Sequence, residues 1–142
     1  MKLSIVNKSG HPLPSYQTPG SVAFDLTAHL ATPVTIKPLE RVLILTGLFI
    51  AVPLGYEAQI RPRSGLALKH GVTMVNAPGT IDSDYRDEWG VILINLGNKA
   101  YTVQDGERIA QVVVAKHEVV EWQEVTGLEA TQRKGGFGST GK

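Results

Sequence analysis

The stretch RVLILTGLFIAVPLGYEAQI, residues 41–60, decides the fold class. Apolar runs over 41–45, 48–52 and 56–60 are separated by turn-forming glycine and proline residues. Each run contains β-branched or aromatic residues and is too short for a helix of ordinary length, which is typical of β-strands. The stretch therefore predicts three consecutive strands.

Similar runs occur along the rest of the chain, at residues 3–6, 22–26, 34–36, 91–96, 109–114 and 119–122. Together they predict an all-β sandwich or barrel. One short helix is expected over 65–69, with Ser64 as its N-cap and Gly71 as its stop. The sequence LGNK at 96–99 lies between two strand-like runs and predicts a hairpin turn.

The chain has 142 residues, the usual size of a single domain with one core. Its apolar pattern continues to about Gly127 and then fades, which predicts a core domain over 1–127 and a C-terminal arm over 128–142. Fourteen Lys and Arg against thirteen Asp and Glu leave a formal charge of +1. That balance argues against general binding of nucleic acid or anionic membranes.

The absence of cysteine excludes a disulfide framework and a thiolate zinc site. The apolar run at the N-terminus is too short for a signal peptide, and no stretch approaches the roughly 18 apolar residues of a membrane span. We therefore expect a soluble, cytoplasmic protein.

The arm ends in RKGGFGSTGK, residues 133–142, which buries too little apolar area to fold alone. Arg133, the glycine amides and the hydroxyls of Ser139 and Thr140 suit a polyphosphate, while Phe137 offers a face for a flat ring. A nucleotide has both parts. The alternative is a flexible glycine-rich tail without a function.

A second candidate anion site lies in IRPRSGLALKHG, residues 60–71. Arg63 precedes the short helix, and the first amides of that helix would face the same side as its guanidinium. The alternative is an ordinary strand exit with solvated arginines and a routine cap at Ser64.

Candidate catalytic residues lie in VNAPGTIDSDYRDE, residues 75–88. Asn76 lies at a bend and could present its amide to the edge of a base. An extended segment over 81–85 would place Asp82 and Asp84 on one face. Asp82 is the candidate base, since an aspartate is ionised at neutral pH and can accept a proton from water. Alternatively, both aspartates are turn residues that bond their own backbone.

The segment GERIAQVVVA begins at Gly106 and predicts a turn followed by a strand. Gln111 in this apolar strand could bond a buried partner or a substrate oxygen, and the alternative is an outward-facing position. The four histidines, at positions 11, 29, 70 and 117, show no metal-ligand spacing and receive no role.

Taken in order, five segments resemble the motifs of the trimeric deoxyuridine triphosphate nucleotidohydrolase family, the dUTPases. They are VAFDLTA from residue 22, RPRSGLA from 61, NAPGTIDSDYRDEWGV from 76, GERIAQVVV from 106 and RKGGFGSTG from 133. The resemblance covers nearly the whole chain, and five ordered motifs are far more specific than one. In the last segment only Lys134 separates Arg133 from the glycine pair, where the family often has two residues.

The resemblance implies a jelly-roll-like, distorted β-barrel or sandwich that forms a homotrimer with three sites between subunits. It also implies hydrolysis of dUTP to dUMP and pyrophosphate, which limits uracil incorporation into DNA and supplies dUMP for dTMP synthesis. The implied cofactor is Mg²⁺, held mainly by the triphosphate and water and not directly by protein side chains.

By the same resemblance, Asp82 would activate the water that attacks the α-phosphorus. The implied substrate-binding residues are Arg63, Ser64, Gly65, Asn76, Thr80, Ile81, Tyr85, Gln111, Arg133, Phe137, Gly138, Ser139 and Thr140. Asn76 and the adjoining hairpin backbone would read uracil, and Tyr85 would pack under deoxyribose. The arm would close like a lid, with Arg133 on the terminal phosphate and Phe137 over the uracil ring.

The phosphate contacts implied by the resemblance are Arg63, Ser64 and Gly65, with help from Gln111. Cations and amides of this kind can neutralise a leaving pyrophosphate while a base activates an in-line water. No covalent nucleophile is required.

Two other functions compete with dUTP hydrolysis. A dCTP deaminase of the same fold, possibly bifunctional, is one alternative, although the glycine-rich fifth motif argues against it. A non-enzymatic jelly-roll interaction module is the other, but such a scaffold has no need of Asp82, Ser64 and the arm together.

Overall fold

The computed structural model describes residues 1–132 and Gly135. This part of the chain contains eleven strands and one short helix. The elements are β1 (Ser4–Asn7), β2 (Phe24–Thr27), β3 (Val34–Ile36), β4 (Arg41–Leu45), β5 (Leu48–Ala51), β6 (Tyr56–Arg61), α1 (Ser64–His70), β7 (Val72–Met74), β8 (Gly79–Ile81), β9 (Gly90–Asn95), β10 (Tyr101–Val103) and β11 (Arg108–Lys116).

All pairings between these strands are antiparallel. A four-stranded sheet has the order β2-β11-β6-β8, and a three-stranded sheet has the order β4-β9-β7. Two further pairs join β1 to β5 and β10 to β3. Neighbours in a sheet are thus mostly distant in sequence, which brings segments from both halves of the chain together.

The core follows from the alternation of side chains along each strand. Phe24 and Leu26 of β2 are buried, and so are Val91 and Leu93 of β9. Trp89, just before β9, is the largest fully buried side chain in the described residues. Burial of such a large aromatic side chain contributes strongly to the core.

Most predicted strands are confirmed, and the structure is mostly β with one short helix. The strand predicted at 119–122 is wrong, because these residues form no strand in the described chain and Trp122 is 90% exposed. Prediction missed β7, β8 and β10. Each has three residues with a threonine in the middle, which is too short for a periodic apolar pattern.

The helix is two residues longer than the predicted 65–69, with one more residue at each end, and its N-cap differs. Arg63 is the N-cap, with φ −91° and ψ 128°, and no side chain caps the helix, so the prediction for Ser64 is wrong. Ser64 has already entered the helix. Gly71 ends it in the left-handed region at φ 70°, as predicted. A Cβ there would lie 2.5 Å from the Gly97 amide nitrogen, so only glycine fits.

The predicted hairpin at 96–99 is also wrong. The turn joins β9 to β10, which belong to different sheets. The buried Asn95 side chain explains this, because its Nδ2 donates to the carbonyls of Ile36 and Lys99 at 2.9 and 2.7 Å. Its Oδ1 accepts from the Gly97 amide at 2.9 Å. A fully bonded buried amide thus holds the crossover between sheets.

The outer face of the β4-β9-β7 sheet is apolar and exposed in the single chain. Leu43 and Ile92 are register partners on this face and are 58% and 36% exposed, with Leu45 beside them at 40%. Gly90 lets Leu43 lie flat, since a Cβ on it would meet Leu43 Cδ1 at 2.7 Å. We call this surface the β4-β9 face. Contiguous apolar surface of this kind marks an interface in many soluble proteins.

A second exposed apolar region follows β11. Residues 118–132 form no strand or helix, and their large apolar side chains are mostly solvent-exposed. Val119, Trp122 and Leu128 are 85%, 90% and 91% exposed. Within the described residues, no helix has the length and hydropathy needed to cross a membrane.

Candidate active site

The four-stranded sheet brings together segments from four of the five motifs. Gln111 of β11 lies opposite Asp25 of β2 on one side and opposite Arg61 of β6 on the other. On the far side of β6, Gly79 of β8 lies opposite Ile60. Sheet pairing, rather than proximity in sequence, therefore assembles the candidate site.

Asp25 is the centre of a charged network at the end of this sheet. Its Oδ1 accepts from Arg63 Nε at 2.9 Å, and its Oδ2 accepts from Arg108 Nη1 at 3.2 Å. Arg63 Nη1 also donates to the Arg108 carbonyl at 2.9 Å. The Asp25 and Arg63 side chains are 16% and 27% exposed. Arg63 is thereby oriented, and its other N–H donors remain for a ligand.

Sequence reasoning gave Asp25 no role, although it lies in the first motif-like segment. One signal was present, since Asp25 stands between Phe24 and Leu26 in an apolar run. A carboxylate in such a strand requires a cationic or hydrogen-bonding partner. The identity of that partner could not be read from spacing, because Arg63 lies 38 positions away.

Gln111 is half-buried and its Nε2 donates to the Pro62 carbonyl at 2.9 Å. Of the alternatives for this residue, the structure supports the bonded partner. Pro62 precedes Arg63 and Ser64, so Gln111 holds the backbone that leads into α1. Its amide oxygen can accept a hydrogen bond from a ligand.

Ser64 and Gly65 open α1 and are both exposed. The first helical hydrogen bond runs from the Ala67 amide to the Arg63 carbonyl at 3.1 Å, so the amides at 64–66 precede the helical ladder. They lie next to Arg63 along the chain. Their donors and the Arg63 guanidinium together offer neutral and cationic N–H groups to an anion.

Asn76 lies on the exposed bend between β7 and β8. These two strands belong to different sheets, so the expected hairpin is instead a crossover. A Cβ on Gly79 would come within 3.0 Å of Asn76 Nδ2, which shows how closely the bend folds over the start of β8. Thr80 and Ile81 follow in β8, with Thr80 exposed and Ile81 half-buried.

Asp82 is exposed and follows the last residue of β8. The chain turns there, because the Tyr85 amide donates to the Asp82 carbonyl at 3.3 Å. The expected extended alternation over 81–85 is therefore wrong. The Tyr85 hydroxyl donates to the Glu88 carbonyl at 3.2 Å. This hydrogen bond restricts the orientation of the Tyr85 side chain, although the residue is 37% exposed. We call residues 82–88 the Asp82 loop.

Strand register separates the Asp82 loop from the Arg63 network within one chain. Ile81 lies opposite Ala58, while Gln111 lies opposite Arg61 on the other side of β6. Asp82 follows β8 away from that end of β6, whereas Arg63 follows directly after it along the chain. Ala58 and Arg61 are three positions apart, which separates the two register points by about 10 Å along β6.

Five predicted positions lie outside the described residues. They are Arg133, Phe137, Gly138, Ser139 and Thr140. Their roles stay predictions.

Comparison with known proteins gives the family. The dUTPase family model matches residues 10–141. Deoxyuridine 5'-triphosphate nucleotidohydrolase of Finegoldia magna is 54% identical over 142 residues and covers 99% of each chain.

Solved structures agree in fold. The Staphylococcus bacteriophage 80alpha dUTPase with dUPNHPP has a TM-score of 0.85 at 24% identity, over 99% of this chain and 98% of that one. The D95N mutant dUTPase from phage phi11 of S. aureus, described with a structural Mg(II) ion, has a TM-score of 0.81 at 20% identity, over 92% and 100%. These matches confirm the predicted all-β, dUTPase-like fold. With a family model over nearly its whole length and a relative that shares more than half its residues, the chain belongs to the dUTPase family.

Proposed function

We propose that the chain hydrolyses dUTP to dUMP and pyrophosphate, which would limit uracil in DNA and supply dUMP for dTMP synthesis. The observation that carries the proposal is membership of the dUTPase family over residues 10–141. The Arg63 network, with its N–H donors beside the start of α1, supports a phosphate ligand independently of that membership. A dCTP deaminase or a non-enzymatic module is not favoured, because the matched relatives are named as dUTP nucleotidohydrolases.

In the proposed mechanism, Asp82 removes a proton from the water that attacks the α-phosphorus. Arg63 and the amides of Ser64 and Gly65 balance charge on the leaving pyrophosphate, and Gln111 holds that segment in place. Asp25 supports the same step indirectly, because its two hydrogen bonds orient Arg63 and Arg108.

The base and sugar would be recognised on the other half of the site. Asn76 and the backbone at Thr80 and Ile81 offer hydrogen-bonding groups to the uracil edge. Tyr85, fastened through its hydroxyl to the Glu88 carbonyl, would form a fixed wall that leaves no space for a 2′-hydroxyl. The arm would supply Arg133 to the terminal phosphate and Phe137 to the uracil ring, with Gly138, Ser139 and Thr140 completing the closure.

The separation within one chain leads us to propose a homotrimer with sites between subunits. A second copy can bring its own Arg63 network to the Asp82 loop, which strand register separates from the network of the same chain. The exposed β4-β9 face and the exposed apolar residues of 118–132 offer surface for such an assembly.

Mg²⁺ is the proposed cofactor. The carboxylates available to it are exposed ones such as Asp82 and Asp84, because both oxygens of Asp25 are bonded to arginines. This donor set fits an ion held mainly by triphosphate oxygens and water, since Mg²⁺ prefers oxygen ligands and retains water. When bound, the ion would neutralise phosphate charge and orient the triphosphate.

We further propose that residues 128–142 act as an arm distinct from a core domain over 1–127. Within residues 1–132 the last strand ends at Lys116, and the exposed residues after it add little to the core. Truncation after Gly127 should leave the fold intact and reduce turnover. A truncated chain that works as fast as the full chain would contradict the arm's role. The cytoplasmic location stays a prediction.

The activity is tested by measuring pyrophosphate release from dUTP, dTTP, dCTP and UTP with and without Mg²⁺. We expect hydrolysis of dUTP in clear preference to the others, and loss of activity with a chelator. Ammonia release from dCTP would support the deaminase instead. A folded protein that releases pyrophosphate from none of the four would refute the proposal.

A further inference from the structure

A cluster of metal-ligating side chains lies outside the candidate active site. Among the described residues, one ligand atom each from His11, His29 and Asp105 lie within 4.8 Å of one another. His11 and Asp105 are 94 positions apart, which is why sequence spacing showed no metal pattern. The fold brings together the loop after β1, the end of β2 and the turn between β10 and β11.

Backbone contacts hold His11 in place. Its amide donates to Ser9 Oγ at 3.1 Å, and its carbonyl accepts from Asn7 Nδ2 at 2.8 Å. Its Nε2 lies 3.0 Å from Asp105 Oδ1. The ring is half-buried, so its position is restricted before any ligand arrives.

The other two residues are held by hydrogen bonds between the end of β2 and the following turn. The Gly106 amide donates to the Ala28 carbonyl at 2.9 Å, and the Leu30 amide donates to Asp105 Oδ1 at 2.8 Å. His29 lies between these two anchored positions.

The turn approaches the His11 ring as closely as a glycine permits. Gly106 has φ +74°, and a Cβ on it would lie 3.2 Å from His11 Cε1. A side chain there would crowd the imidazole and require a backbone conformation that residues other than glycine rarely adopt. Glycine at this position therefore preserves the cluster.

We propose that His11, His29 and Asp105 form a binding site for one Zn²⁺-class divalent ion per chain. Two imidazole nitrogens and one carboxylate are a typical three-residue donor set for Zn²⁺, with water in a fourth position. Bonds of about 2.0–2.1 Å place tetrahedral ligands about 3.4 Å apart, so a modest rotation of the exposed His29 ring completes the geometry. The ion would cross-link the loop after β1 to the turn before β11.

This site differs from the proposed Mg²⁺ site in its chemistry. Mg²⁺ prefers oxygen ligands and near-octahedral geometry, whereas two of these three donors are nitrogens. The proposal does not rest on dUTP hydrolysis and uses none of the residues assigned to it. Metal binding to the nucleotide-free protein is therefore a suitable measurement.

The test is equilibrium dialysis of the full chain against Zn²⁺ and, as a spectroscopic probe, Co²⁺. We expect one ion per chain and an intense visible Co²⁺ spectrum of the four-coordinate type. His29→Ala and Asp105→Asn should each weaken binding at least tenfold, since even outer-shell changes at metal sites cost 10- to 100-fold. His117→Ala is the matched control, an exposed histidine outside the cluster, and should bind as the unaltered chain does.

The variants are chosen to keep the fold. An asparagine at 105 retains an oxygen for the Leu30 amide, and His29 is exposed. Zn²⁺ should also raise the melting temperature of the unaltered chain and of His117→Ala, but not that of His29→Ala. The proposal is overturned if the unaltered chain binds no ion, or if His29→Ala binds it with unchanged affinity and spectrum.

Discussion

The two halves of the candidate site differ in how completely one chain prepares them. The Arg63 network is half-buried and internally bonded, with both oxygens of Asp25 occupied and Gln111 fixed to the Pro62 carbonyl. The Asp82 loop is exposed and organised by turn contacts. The contrast teaches that pairing within one sheet fixes the Arg63 network, whereas the Asp82 loop is held only by turn contacts, so the proposed shared site would use a second copy beside this loop.

The largest effect is expected from Asp82→Asn, which removes the proposed base. Turnover of dUTP should fall by roughly 10² to 10⁴ while the nucleotide still binds, because an amide cannot take the proton from water. Single-turnover kinetics and nucleotide titration measure the two separately. Asp84→Asn is the control and should retain most activity. Unchanged turnover in Asp82→Asn would remove this residue from the mechanism.

Mixing two inactive variants tests whether the halves come from different chains. The Asp82→Asn and Arg63→Ala variants are mixed in equal amounts, unfolded and reassembled. If each site uses two subunits, about a quarter of the sites should combine an intact Arg63 with an intact Asp82 and regain activity. A site made within one chain would always carry one defect. If mixed oligomers form but their turnover stays at the level of the separate variants, the proposal of shared sites is contradicted.

A smaller effect is expected from Asp25→Ala. The change leaves Arg63, which is 27% exposed, without its carboxylate partner. We expect a loss of about 1–3 kcal/mol in the free energy of unfolding, from urea denaturation. Asp84→Ala, at an exposed position, should stay within about 0.5 kcal/mol. Equal losses in both variants would show that the network adds nothing to stability.

The smallest stability effect is expected from Ser64→Ala. No side chain caps α1, and Arg63 is its N-cap. The free energy of unfolding should change by less than about 0.5 kcal/mol, whereas loss of a true serine cap costs about 1 kcal/mol. Thermal or urea unfolding measures this change. A stability loss as large as that of a true cap would instead identify Ser64 as the cap. Reduced dUTP affinity at unchanged stability would support a ligand contact at Ser64.

Much of the fold could be predicted from the local pattern of apolar and turn residues. The strands that were missed or wrongly predicted are those for which this local pattern carries too little information. The strands over 34–36 and 41–45 match their apolar runs, because side-chain alternation and turn residues act locally. β8 was missed because three residues cannot show a period. The run at 119–122 was mistaken for a strand because apolar composition alone does not supply a pairing partner.

Candidate site residues could be named from motif resemblance, but their partners could not. Arg63 and Gln111 were proposed from sequence, whereas the bonds that orient them come from Asp25 and from the Pro62 carbonyl. The roles assigned to Arg133 and Phe137 lie outside the described residues and stay predictions. Hydrogen-bond partners distant in sequence are set by strand register, which local pattern does not encode.

By itself the sequence determined the class of fold and the family, since both depend on residue types in a fixed order along the chain. Tertiary structure alone decided that Asp25 holds two arginines, that Asp82 lies away from Ser64, and that His11 meets His29 and Asp105. The physical reason is that each residue type sets the chemistry of its own side chain, wherever that residue lies in the fold. Distances between such groups depend instead on which strands pair, and pairing is a property of the whole packed chain.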